Sequence, residues 1–272
     1  MGNASREPSD AAVQAAESVA DLNPRQRQIL AGIEGQGFVT VETLAARFGV
    51  TMQTIRRDII RLESLGLLQR FHGGAGQRPA AARMDYAEKR NLAIDAKGRI
   101  ARTVAAMIPD GAAVFLDVGT TLEAVAYALR ERENLRVFTA SVRTAAVLAG
   151  CRGISLFVTG GMVGGPDGSL VGDAATQTLS DIRPDFAVIG FSGFDDDGAP
   201  MDFDPQKVAI KRLMIARATA AILAGDSTKF ARSATMRIAP LSALNALVSD
   251  ALPPEALSRM LRDSGVAFRP AE

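Results

Sequence analysis

One cysteine, Cys151, and one histidine, His72, are all that 272 residues contain of either type. A single thiol cannot form a disulfide within the chain, and neither residue type is numerous enough to enclose a transition metal. The lack of thiols fits a reducing compartment. No run of eighteen or more apolar residues occurs, and the opening MGNASREPSD lacks the basic end and apolar stretch of a secretory leader. These absences predict a cytoplasmic protein with no membrane partner, no metal and no cofactor. Strong net charge is missing too: the total is +1, which alone argues against a nucleic-acid binder.

The average conceals a gradient. Residues 1 to 23 carry one arginine against Glu7, Asp10, Glu17 and Asp21, a net of −3. Residues 24 to 72 carry seven arginines against Glu34, Glu42, Asp58 and Glu63, a net of +3, and the remainder comes to +1. Positive charge is thus concentrated in one small segment, as contact with a polyanion requires. A hydrophobic fraction of 47% and this length suit two globular domains. The predicted division is a disordered tail over 1–22, a small head over 23–76, a linker over 77–96 and a larger body over 97–272.

In the head, Asn23-Pro24 is a cap followed by a helix-starting proline, and RQRQILAGIEGQG continues as a short helix. Phe38-Val39 is a brief extended piece. Thr40 is placed to cap VETLAARF, Gly49 to stop it, and Thr51 to cap a further helix whose Ile55, Ile59 and Leu62 recur at helical spacing. LLQRFHGGA then suits a two-stranded wing closed by glycines. At about 100° per residue, Gln53 and Arg57 lie opposite Ile55, with Arg56 and Arg61 flanking them. On the second helix of a helix-turn-helix, Thr51, Gln53 and Thr54 are placed to read base edges and the arginines to grip phosphate or guanine. Arg70 and His72 on the wing would hold the DNA backbone. Taken without the helix-turn-helix and the wing, the arginines read equally as a solvated helix face. One short helix reads too few base pairs, which predicts a homo-oligomer, dimer or tetramer, on a repeated site.

TIRRDIIRLESLGLLQRFHGGA resembles the signature of the DeoR family of bacterial transcriptional repressors. The resemblance implies a winged helix-turn-helix that binds double-stranded operator DNA. Where the family commonly has leucine after the aspartate, this chain has Ile59.

The body repeats strand, loop, helix. AAVFLDVGTTLEAVAYAL and LRVFTASVRTAAVLAG follow that plan, and ISLFVTGG, DFAVIGFSG and TAAILAGDSTKF supply three more apolar runs ending in small or polar residues. The pattern predicts an α/β domain built on a parallel sheet covered on both faces. Ligands of such sheets sit beyond the carboxyl ends of the strands, where Asp117, Thr139, Gly160, Gly161, Ser192 and Asp226 fall. Gly119, Thr120 and Thr121 offer backbone N–H groups and hydroxyls at a helix N-terminus, a setting for a phosphate. Thr139-Ala140-Ser141 is a weaker second loop of this kind, and Lys229 can add a point charge. A tight turn with a helix cap is the bland reading of both loops. Asp195-Asp196-Asp197-Gly198 lacks the alternation of a calcium loop and reads as a solvated turn.

LDVGTT, the TGG before Met162, SLVGDA, PDFAVIGFSG and DSTKF resemble the sensor domain of the same family, which shares its fold with sugar-phosphate isomerases. More narrowly, FSGFDDDGAPMDFD, IKRLMIARA and ALPP resemble the branch that answers to glycerol 3-phosphate, implying release from operator DNA by that small phosphorylated metabolite. Two positions depart from the pattern: Ala140 stands where asparagine is usual, and Lys207 where glutamate is expected. An isomerase on this fold needs a carboxylate pair as acid and base. The loop Phe191-Ser192-Gly193-Phe194 lacks it, although Asp195 and Asp202 lie close by in sequence; this ranks a sensor first, with an isomerase-like enzyme, or a repressor of the same family sensing a different sugar phosphate, as the alternatives.

Overall fold

The computed structural model describes residues 22–36, 38–65, 67–71, 74–76 and 86–272. The expected tail up to residue 21, and the first part of the expected linker, 77–85, lie outside the described residues. The chain divides into two compact units between residues 83 and 84. Among the described residues no helix is long and apolar enough to cross a membrane.

The first unit runs α1 (Pro24–Gln36), β1 (Phe38–Thr40), α2 (Val41–Phe48), α3 (Met52–Ser64), β2 (Gln69–Phe71) and β3 (Gly74–Gly76). Its start is a reciprocal capping box: the Gln26 N–H donates to Asn23 Oδ1 at 2.9 Å, and the Asn23 N–H to Gln26 Oε1 at 3.1 Å. Thr40 caps α2 by accepting the Thr43 N–H, and Gly49 ends it at φ 62°, ψ 33°, a left-handed conformation that glycine adopts without a Cβ clash. Ile29, Ile33, Leu44, Ile55, Ile59 and Leu62 form the core, each at most 2% exposed. The predicted two-stranded wing gains a third strand, in the order β1-β3-β2, because β1 pairs antiparallel with β3.

The second unit opens with α4 (Tyr86–Asn91) and α5 (Ile94–Met107). β4 (Ala113–Leu116), α6 (Thr120–Leu129), β5 (Leu135–Thr139), α7 (Val142–Leu148) and β6 (Ile154–Val158) follow, then the hairpin β7 (Met162–Val163) and β8 (Leu170–Val171). Next come α8 (Asp173–Ser180), β9 (Phe186–Ile189), β10 (Gly193–Phe194), β11 (Pro200–Asp202), α9 (Pro205–Arg217), β12 (Ala220–Ala224), β13 (Met236–Arg237), β14 (Ala246–Ser249), α10 (Glu255–Asp263) and β15 (Ala267–Pro270). Seven strands form one parallel sheet in the order β15-β14-β12-β9-β4-β5-β6. β10, β11 and β13 make a small antiparallel sheet.

Alternation along the central strands explains the layers. Val114, Leu116, Val188, Ile222 and Val248 pack with Ile100, Val104, Leu122 and Val125 of α5 and α6. Phe115, Ala187, Ile189, Leu223 and Leu247 face the other way, onto α8, α9 and α10. Both faces are apolar, as a sheet covered twice requires. From β4 the chain moves outward to β5 and β6, then returns to β9 on the opposite side of β4. That reversal makes the carboxyl ends of β4 and β9 a switch point of the kind at which parallel sheets take ligands.

Candidate functional site

α3 is sharply two-faced. Ile55, Asp58, Ile59 and Leu62 are buried, whereas Thr51, Gln53, Arg56, Arg57 and Arg61 are exposed and Thr54 is half-buried. Thr51 caps the helix by accepting the Thr54 N–H at 3.2 Å, and the two hydroxyls stand 2.9 Å apart. Among the described residues none of the three arginines enters an ion pair, so their guanidiniums remain open to an external anion. Arg70 lies in β2 opposite Ala75, and His72 lies outside the described residues.

One acid of this helix, Asp58, points inward. Asp58 accepts from Arg25 Nε at 2.6 Å and from the buried Gln26 Nε2 at 3.0 Å, pinning α3 to the first turn of α1. Its hydrogen bond to Arg25 is the main cause of that guanidinium's raised pKa. Asp58→Ala strands the Gln26 amide in the core and is expected to destabilise the first unit by about 1–3 kcal/mol, read from its denaturant midpoint.

At this switch point of the second unit, Asp117 follows β4 directly and is 1% exposed. Its Oδ2 accepts the Gly190 N–H at 2.9 Å and Lys211 Nζ at 2.5 Å. Lys211 also donates to the Gly190 carbonyl at 2.7 Å and pairs with Asp202 at 3.1 Å, so its three donors are engaged. Asp202 in turn accepts from the Ser192 hydroxyl and the Phe203 N–H, each at 2.8 Å. Burial alone would lower the pKa of Lys211; Asp117 and Asp202 outweigh it and raise the value above the ordinary lysine range. This knot joins β4, β9, β11 and α9. Gly190 permits the approach, because a Cβ there would come 2.9 Å from Leu122 Cδ2.

Lys229 sits on the turn after β12, with Nζ 5.0 Å from the centre of the Phe191 ring. Unlike that of Lys211, its ammonium makes no hydrogen bond among the described residues. Burial drives its pKa down to about 8, against the pull of Asp226 and Asp202. Asp226 is 2% exposed and accepts the Thr228 hydroxyl at 2.5 Å. Burial would raise its pKa, but Lys229, with Thr228 and Lys97, holds it below the usual carboxylate value. Lys97, also buried, donates to the carbonyls of Lys89 and Leu92 at the end of α4.

Of the residues predicted from sequence, Asp117, Asp226 and Lys229 therefore meet in one charged cluster. The Gly119–Thr120–Thr121 loop begins two residues beyond Asp117. Gly119 is the N-cap of α6 at φ 137°, ψ 160° and supplies no side-chain cap. The second predicted loop differs. Thr139 Oγ1 donates to the Leu116 carbonyl at 2.7 Å and accepts the Ser141 N–H at 3.2 Å, while Ser141 Oγ accepts the Thr144 N–H. Those hydroxyls serve their own backbone. Gly160 and Gly161 are exposed, and a Cβ on Gly161 would lie 2.7 Å from the Val171 carbonyl, so its lack of a side chain seats the β7–β8 hairpin. In the acidic turn Arg237 pairs with two of the three aspartates, at 3.0 Å from Asp195 and 2.7 Å from Asp197.

Two family models match this chain: the DeoR-like helix-turn-helix domain over residues 25–78 and the DeoR C terminal sensor domain over residues 92–251. The chain belongs to the DeoR family. As a DeoR protein it is 36% identical over 239 residues to the glycerol-3-phosphate regulon repressor of Escherichia coli, covering 88% of this chain and 95% of that one. It is 35% identical over 244 residues to the HTH-type transcriptional repressor CsqR of the same organism, covering 90% and 94%. Ribose 5-phosphate isomerase A from Methanocaldococcus jannaschii is similar in fold, with 14% identity, a TM-score of 0.38 and coverage of 50% and 54%, a likeness too slight to bear on function. This DeoR protein is a DNA-binding transcriptional repressor rather than an enzyme.

Several charged residues of the DeoR sensor unit escape a reading of loops alone: Lys97, Glu123, Arg143 and Lys211. A signal exists for one of them. Lys211 stands three residues after Val208 and three before Met214, on the buried stripe of α9, where a charge demands a buried partner. The two positions that depart from the family pattern also have local roles. Lys207 forms an ion pair with Asp167 of the β7–β8 hairpin, and the Ala140 carbonyl accepts the Leu170 N–H at 2.7 Å.

Proposed function

We propose that this repressor holds a repeated operator through Thr51, Gln53, Thr54, Arg56, Arg57 and Arg61, with Arg70 and His72 on the wing, and releases it when the second unit binds glycerol 3-phosphate. The observation that carries the sensing half is Lys229, a half-buried lysine whose ammonium has no hydrogen-bonded partner among the described residues and which lies on the turn after β12, at the end of the sheet where such folds take ligands. A phosphate dianion supplies the missing acceptor, and the uncapped N-terminus of α6 at Gly119, Thr120 and Thr121 favours the same charge. Asp117 and Asp226 set the geometry of that cation site. Thr139, Ser141, Gly160 and Gly161 shape its walls.

Ligand control needs a mechanical link, and α4 is suited to it. The ring of Tyr86 lies 4.1 Å from the Arg143 guanidinium, and the far end of α4 is held by Lys97. A ligand that draws on these cations changes the hold on the segment leading back to the head. Exposed Phe157, Val158, Met162 and Val163 along β6 and β7 favour association into a dimer or tetramer, which would pair two heads on one operator.

The DNA half is tested by Arg57→Ala on a duplex carrying the promoter of its own gene. Affinity is expected to fall about fivefold or more, and the slope of log affinity against log salt to flatten by about 0.9 for one lost phosphate contact. An unchanged affinity and slope in a fluorescence titration would remove Arg57 from the interface. The sensing half is tested by thermal melting with phosphorylated metabolites: glycerol 3-phosphate should raise the transition, and no shift at saturating concentration would refute it.

A further inference from the structure

A second group of polar side chains lies beside the phosphate loop, at the carboxyl ends of β4, β5 and β6. Thr121 and Glu123 occupy the first turn of α6 after β4, Thr144 the first turn of α7 after β5, and Thr159 follows β6 with its N–H on the Thr139 carbonyl at 3.1 Å. Their exposures are 2%, 6%, 0% and 6%. Yet Thr121 Oγ1, Glu123 Oε1, Thr144 Oγ1, Thr159 Oγ1 and Arg143 Nε are all buried without a hydrogen-bond partner among the described residues. Buried polar atoms are nearly always bonded, so several unpaired ones at neighbouring strand ends point to a guest.

We infer that Glu123, Arg143, Thr121, Thr144 and Thr159 form a subsite for the vicinal hydroxyls of the metabolite whose phosphate lies at Lys229. The inference rests on the proposed phosphate site and names the other half of its ligand. Chemistry selects the guest. A carboxylate only accepts, a guanidinium only donates, and a threonine hydroxyl does both. Alcohol groups satisfy that mixture, whereas a phosphate, which only accepts, would face Glu123 carboxylate to carboxylate-like oxygen. Burial raises the pKa of Glu123 to about 7, with Arg143 opposing and Asp167 adding to the shift, so this carboxyl is held in a setting where a hydroxyl serves either protonation state. Arg143 is itself fixed, donating from Nη2 to the Pro166 carbonyl at 2.7 Å.

Calorimetric titration of the full chain with glycerol 3-phosphate, and with ethyl phosphate as an ester lacking hydroxyls, tests this. The wild type is expected to prefer glycerol 3-phosphate by about tenfold or more. Glu123→Met and Thr144→Val should each cut that preference severalfold while leaving affinity for ethyl phosphate unchanged. Thr144→Val preserves shape and decides the matter should Glu123→Met not fold. Equal wild-type affinity for the two esters, or variants that weaken both alike, would overturn the subsite and leave the phosphate site standing. Binding of neither ester, or ethyl phosphate affinity unaffected by Lys229→Met, would overturn the phosphate site and the subsite with it.

Discussion

Lys229→Met is expected to weaken glycerol 3-phosphate binding by about 2 kcal/mol or more, roughly thirtyfold, while operator affinity without ligand stays at the wild-type value. Methionine keeps the length of the side chain and its packing on Phe191 but removes the charge that a phosphate would pair with in a desolvated setting. The acidity of Lys229 makes the effect titratable. Its pKa is drawn down to about 8 by burial, with Asp226 and Asp202 pulling the other way and Lys211 and Lys97 adding to the depression. Below that pH the ammonium is present, and a phosphate monoester loses its second proton near pH 6. Affinity should therefore be greatest between these values and fall by up to about tenfold per pH unit above 8. Lys229→Arg, which stays charged, should flatten that alkaline limb. A wild-type affinity that is level from pH 7 to 10 would place the phosphate elsewhere.

The second large effect concerns stability. Lys211→Met leaves Asp117 and Asp202 buried with their shared cation gone, which costs about 3–5 kcal/mol when one member of a buried ion network is removed. For a unit of this size that is a drop of roughly 6–20 °C in the melting temperature of the second unit. The sign with pH follows from the carboxylates. Burial would raise the pKa of Asp202, and Lys211 is the main influence holding it below the usual carboxylate range; without that cation the deficit should shrink as the medium is acidified and Asp202 is neutralised. A variant that melts like the wild type at neutral pH would show that the knot contributes little.

What could be read from the sequence was local. Thr40, Gly49 and Thr51 announce the ends of α2 and α3 because capping uses residues a few positions apart. The apolar runs of β4, β5, β6, β9 and β12 were legible for the same reason, whereas β14 and β15 were not, the latter ending on Arg269 and Pro270. The third strand of the head was missed because β1 pairs with residues far along the chain. Partners at long range also hid the charged centre: Asp58 meets Gln26 across 32 positions, and Lys211 meets Asp117 across 94. Thr139 and Ser141 show the converse error. Their hydroxyls match the chemistry of a phosphate loop, but the backbone of their own turn already uses them.

The central claim is that one small phosphorylated ligand loosens the hold on DNA through the second unit. Fluorescence anisotropy of a labelled promoter duplex bound to the full chain tests it directly. Titrating glycerol 3-phosphate into the wild-type complex should release the duplex, and the same titration on Lys229→Met should require at least about thirtyfold more ligand. An anisotropy that stays at the bound value throughout the wild-type titration would contradict the account.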